Sequence, residues 1–213
     1  MYRFLLFLLF VVTLGAIMVW GTHSYFFAGQ KPLLSYGESV EAERFQDRVA
    51  VLFAASVSDP IDESIYLLNV VKAYQDKQIS KIVVSGELRE NKENRILTIM
   101  DYFIGKGVAE ADLYPDFHSP EPFHTCRRLH EVFSISKVIF ISDHFRAQQA
   151  LFACNYLGKV DATAWAWPAD ENVNGLLAAF KDELSVLADV YLSEPDIYLE
   201  DRPVNIFAKL YPY

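Results

Sequence analysis

Three short polar groups follow apolar runs in this chain, and they hold the side-chain types that chemistry needs. They are Ser56 to Asp59, Ser85-Gly86-Glu87, and Ser142-Asp143-His144-Phe145-Arg146. The third is the densest. His144 can serve as a general acid or base, and Arg146 can hold a phosphate or carboxylate with its planar fork of donors. Asp143 also suits the N-cap of a following helix, and His144 and Arg146 suit solvated first-turn positions. An arginine there opposes the helix dipole, which favours a functional reason for its presence. In the second group, Gly86 permits a positive-φ turn or the close approach of a ligand to the backbone. The candidate ligand-binding residues are Ser85, Gly86, Ser142, Asp143 and Arg146, and the candidate catalytic residue is His144.

Other patterns point less far. No G-x-G-x-x-G, Walker A or G-x-S-x-G pattern is present, so classical dinucleotide, P-loop and α/β-hydrolase readings are weak and no cofactor is predicted. His118, His124 and His130 recur every six residues, which sets successive ones about 240° apart on a helix. They cannot share a metal-binding face, and no metal site is predicted. Asp59 and Asp62 fit an acidic helix start as well as a cation site. Trp165 and Trp167 share one face of a strand and suit packing beneath a helix. Cys126 is in helical register with Phe123, Leu129 and Phe133, and Cys154 with Ala147, Ala150, Leu151 and Leu157. That spacing predicts two separate buried thiols rather than a disulfide.

The elements that must position these groups alternate in type. Residues 48–56, 81–85, 137–142 and 160–167 are apolar runs of strand length, as expected for strands covered on both faces. Helical periodicity occupies 62–78, 94–106, 122–133, 143–157 and 174–192, with Gly107 and Gly158 as stops. A Pro-broken loop precedes residue 122. Strand and helix in this alternation predict an α/β fold, a Rossmann-like three-layer sandwich with a mostly parallel sheet. Ligands of such sheets sit beyond the carboxyl ends of the strands, which is where the three polar groups fall.

The charge is divided unevenly. Arg3 is the only charged side chain among residues 1–20, so the rest of the chain holds 18 basic and 28 acidic groups, a net of −10. A body that acidic repels polyanions, and nucleic acid is excluded as a partner. Phe4 to Trp20 carry no charge, and as a helix they reach roughly 25 Å, enough for a short membrane crossing. The small-residue pattern of a cleavage site is poorly matched at Gly21-Thr22-His23-Ser24, so an uncleaved signal anchor is predicted. Residues 1–22 are then a transmembrane helix, 23–46 a tether and 47–213 the α/β domain. The positive-inside rule puts the N-terminus in the cytoplasm and the body outside.

The order of these elements resembles the SanA/ElyC/YdcF family. The resemblance rests on the anchor, the strand Val49–Ala54, Ser85-Gly86, Gly107-Val108, Ser142-Asp143-His144-Phe145-Arg146-Ala147, Asp189-Val190-Tyr191-Leu192 and Pro195-Asp196-Ile197-Tyr198-Leu199. It covers residues 48–200. The family's His-x-x-Arg-Ala motif aligns in two ways, with His144 as the histidine, or with Arg146 and Gln149 in the two motif positions. The family's acidic residue before the second helix aligns with Arg95. The resemblance implies a protein of the bacterial inner membrane with a periplasmic body, supporting the envelope barrier or peptidoglycan and lipid-carrier metabolism. A small anionic ligand and envelope protein partners are its expected company. An enzyme acting on phosphorylated envelope precursors and a degenerate scaffold are the alternatives.

Overall fold

A computed structural model of the chain describes residues 9–11, 13–18, 20–21, 24, 34–35, 48–57, 60–87 and 94–167. Six strands lie in one sheet: Leu34–Ser35 (β1), Val49–Phe53 (β2), Lys81–Ser85 (β3), Leu113–Asp116 (β4), Lys137–Asp143 (β5) and Asp161–Trp167 (β6). Their spatial order is β1-β6-β5-β2-β3-β4, and every neighbouring pair is parallel. The helices Ile65–Gln75 (α1), Arg95–Gly105 (α2), Pro122–Glu131 (α3) and His144–Leu157 (α4) make the crossovers.

Alternation along each strand sorts its side chains onto two faces. Ala50, Leu52, Ile82, Val84, Ile139, Ile141 and Trp165 pack with α1 and α2. Val51, Phe53, Val83, Val138, Phe140 and Ala164 pack with α3 and α4 on the other side. Both faces are therefore covered, as the continuous apolar runs predict. Each buried Val, Leu, Ile or Phe contributes about 1.5–3 kcal/mol relative to exposure, which makes these two layers the main source of stability. Polar side chains set the helix ends. Asn94 accepts from the Ile96 N–H at 3.2 Å, Asp143 accepts from the Arg146 N–H at 2.9 Å, and α4 stops at Gly158, with φ 63°.

Several elements depart from expectation. The run 48–56 yields only five strand residues, because Ala54–Ser56 turn into a 3-10 helix. Likewise Ile61–Glu63 form a separate 3-10 turn ahead of α1. The supposed Pro-broken loop contains β4, whose Pro115 sits opposite Val84. Proline lacks the ladder donor and is tolerated because β4 is the outermost strand among the described residues. Within the supposed tether, Leu34–Ser35 pair with Trp165 and Ala166. Among the described residues no helix is long and apolar enough to cross a membrane. Of the predicted anchor 1–22, residues 9–11, 13–18, 20 and 21 are described and helical; the others, like Asp59 and the predicted helix 174–192, lie outside the described residues.

The cysteine expectation is corrected. Cys126 of α3 and Cys154 of α4 form a disulfide, with their Cα atoms 5.2 Å apart. Helical register placed each thiol correctly on the buried face of its own helix. It carried no information that α3 and α4 are neighbours on the same side of the sheet, and that adjacency makes the bond. The bond closes a loop of 28 residues, so replacing both cysteines with alanine is expected to cost about 3 kcal/mol. Urea unfolding of the double variant against the oxidised parent checks this, and coincident curves would contradict it.

Candidate functional site

The strand order reverses between β2 and β5. From β2 the chain steps through α1 to β3 and through α2 to β4, all on one side. It then returns through α3 to β5, which pairs with the other flank of β2. The connections therefore leave β2 and β5 in opposite directions, and this switch point, the gap at which ligands of open α/β sheets bind, is bridged here by the polar side chains of the two turns. The two sides of the gap are the turn Ala54–Ser56 and the start of α4.

Three polar side chains meet there. Ser56 Oγ lies 2.8 Å from Ser142 Oγ and donates to Asp143 Oδ2 at 2.9 Å. Ser142 Oγ, fully buried, also reaches Asp143 Oδ2 at 3.3 Å. The second carboxylate oxygen, Oδ1, is held by the Arg146 N–H as the cap of α4. Asp143 thus has one oxygen fixed by the helix and the other bound to the hydroxyl across the gap. The positive end of α4 is already filled by the chain's own carboxylate, so an incoming anion needs a different donor.

Arg146 is the candidate. It is half-buried, and its guanidinium lies over the Phe53 ring, 5.8 Å from the centroid. Phe53 in turn stacks on Phe140 at 5.6 Å, which gives the arginine a rigid apolar floor. Among the described residues the Arg146 guanidinium meets no carboxylate. A second arginine holds the opposite wall. Arg95, in the first turn of α2, donates from Nε to the Ala54 carbonyl at 2.9 Å and from Nη2 to the Val57 carbonyl. These two bonds bracket Ser56 and fix its turn. His144 is exposed one residue beyond the cap, free of the buried layer.

The Ser85-Gly86 group is positioned differently. Ser85 is fully buried; its Oγ donates to Asp116 Oδ2 at 3.2 Å and lies 2.9 Å from Thr125 Oγ1. Asp116 also accepts from Ser119 Oγ and pairs with Arg128, whose Nε is 2.8 Å from Oδ1. Both charged side chains are almost wholly buried, at 1% and 2% exposure. This network ties the ends of β3 and β4 to α3 and stands apart from Ser56, Ser142, Asp143 and Arg146. Gly86 does not adopt the positive φ allowed for it; Gly107 and Gly158 do. Its small size is used instead, because an added Cβ would come within 3.3 Å of Ala54 Cβ and 3.4 Å of Ile96 Cδ1. With that atom the side chains of Ala54 and Ile96 would have to give by a few tenths of an ångström for the turns after β2 and β3 to stay side by side.

Asp116, Thr125, Arg128 and the clamping role of Arg95 escaped the sequence reading. One signal was available: Arg128 follows Thr125 by one helical turn inside an otherwise buried stripe of α3, where an unpaired charge is not tolerated. Its partner could not be read, since Asp116 belongs to the unforeseen β4. Removing one member leaves the other charged and buried, so Asp116→Ala is expected to destabilise the fold by about 3–5 kcal/mol. Ser56→Ala, in the half-exposed gap, is expected to cost about 1 kcal/mol. Chemical denaturation of the two variants checks the ranking, which a smaller loss for Asp116→Ala would reverse. No family model matches this chain, nor does any curated protein or solved structure.

Proposed function

We propose that the chain is a membrane-anchored protein of the bacterial cell envelope, of the SanA/ElyC/YdcF type and Rossmann-like fold. It binds a small anionic ligand in the gap between β2 and β5 and serves envelope barrier integrity or peptidoglycan and lipid-carrier metabolism. The observation that carries the ligand is Arg146: a half-buried guanidinium without a carboxylate among the described residues, in a chain of net charge −9. In so acidic a protein a structural arginine would find a carboxylate readily, and one held over a ring at a strand-end gap is arranged for a ligand's charge.

Two further observations support the location. The Cys126–Cys154 disulfide belongs to an oxidising compartment, outside the cytoplasm. Leu9, Phe10, Val11, Leu14, Ile17, Met18 and Trp20, all at helical positions, expose their apolar side chains. An apolar surface of this kind calls for lipid or a partner to cover it.

Arg146→Ala is expected to weaken binding of inorganic phosphate about tenfold, the loss of one charge-assisted contact. Its melting temperature should stay within about 2 °C of the parent, because no ion pair is lost. Calorimetric titration of both proteins decides the matter, and equal affinities remove the anion from the proposal. For the location, the full chain is expected to remain with the membrane after an alkaline carbonate wash, and deletion of residues 1–22 to release it. Release of the intact chain by the wash would count against the anchor.

A further inference from the structure

Resting on the membrane anchor just proposed, we infer that the amino-terminal edge of the sheet, from β6 to β3, is a docking surface for anionic lipid head groups. Every described lysine, Lys72, Lys77, Lys81, Lys106, Lys137 and Lys159, is exposed and lies at that edge. Lys81 and Lys137 open β3 and β5, Lys77 precedes β3, and Lys159 precedes β6. Lys72 and Lys106 stand at the ends of α1 and α2. The helix dipole accounts for these last two and not for the other four, which lie outside the helices. The carboxyl edge holds no described lysine, and Asp62, Glu63, Glu87, Glu121 and Asp143 gather there.

Charge is graded along the basic edge as well. Asp101, Glu110 and Asp112 belong to its β4 end, with Lys106. From β6 to β3 it carries Arg48, Arg127 and the other five lysines against three carboxylates, Asp76, Glu131 and Asp161. Arg48 already pairs with Asp161, and Arg127 and Lys159 with Glu131. The net charge of −9 therefore conceals a basic face. That stretch is also the part of the edge nearest the anchor. β1 runs parallel to β6, so the chain coming from the anchor enters the sheet from the amino-terminal side. Ser24 and Leu34 are ten residues apart, a span of at most about 36 Å, close to the width of a domain of this size. The body is thus kept beside the bilayer, and confinement at that range lets a few lysines suffice where a free protein would need many. Docked in this way, the carboxyl edge faces the aqueous phase, about 20 Å away along the seven residues of β6.

Hydroxyl-radical footprinting of the full chain tests this, in nanodiscs of phosphatidylcholine and in nanodiscs of phosphatidylglycerol. Tyr156, exposed near the end of α4, reports on the amino-terminal edge, and Ile65 and Leu68, exposed at the start of α1, report on the other. Tyr156 is expected to be modified about threefold more slowly on phosphatidylglycerol than on phosphatidylcholine, with Ile65 and Leu68 unchanged. The difference should vanish in about 1 M sodium chloride, where screening shortens the reach of charge to about 3 Å. It should vanish too in the triple variant Lys77→Glu, Lys81→Glu, Lys137→Glu, whose exposed positions leave the core untouched. Equal modification of Tyr156 on the two lipids, or protection of Ile65 and Leu68 in its place, overturns the inference while the anchor stands. A chain that enters neither kind of disc removes the anchor and this inference together.

Discussion

A parallel sheet covered on both faces leaves no room for hydrogen-bonding side chains along its strands, and this constraint shapes the rest of the molecule. Between Ala50 and Leu52, Ile82 and Val84, and Val138 and Ile141, every side chain is apolar and buried. Polar residues return at the carboxyl ends, at Ser85, Asp116, Ser142 and Asp143. There they face a choice set by local packing. At β3 and β4 they are sealed under α3 and satisfy one another; at β2 and β5 the connections diverge, and Ser56 and Asp143 stay partly exposed while Ser142 is buried beneath them. The same constraint thus yields a sealed network and a half-exposed polar cluster a few residues apart, with Gly86 as the point where the turns after β2 and β3 touch.

This division explains why chain order alone located only part of the site. The strands β2, β3, β5 and β6 were legible because a run such as Val138–Ile141 is apolar at every position, and Asp143 was legible as a cap because a helical pattern follows it. The grouping of Ser142, Asp143 and Arg146 followed from their closeness in the chain. Ser85 looked equivalent to Ser142, each ending a buried strand, and the difference between them lies in what sits across from each. Ser85 is in register with Asp116, on a strand whose proline disguised it. Ser142 faces the turn of Ser56, across the reversal of strand order. Neither fact is written in the local pattern, because each depends on which strands become neighbours.

The disulfide has the same origin. Its two cysteines occupy unremarkable core positions in their own helices, and their meeting records the packing of α3 on α4. The position is nonetheless telling. Cys126 lies between Thr125 and Arg128, the two residues through which α3 grips the ends of β3 and β4, while Cys154 belongs to the helix that begins with Asp143 and Arg146. The covalent bond therefore couples the helix that holds the sealed network to the helix that opens the gap. An account of either polar cluster has to include the other helix.

Pro115 carries one more consequence. An outermost strand normally offers a row of free backbone donors and acceptors to any extended segment that drifts past, the first step of fibrous association. On β4 that row is interrupted at its third residue, because a pyrrolidine nitrogen has no hydrogen to give. With four residues and one missing donor, β4 is a poor template for a foreign strand. The residue that hid this strand from pattern reading is thus also the one that weakens it as a template for further pairing.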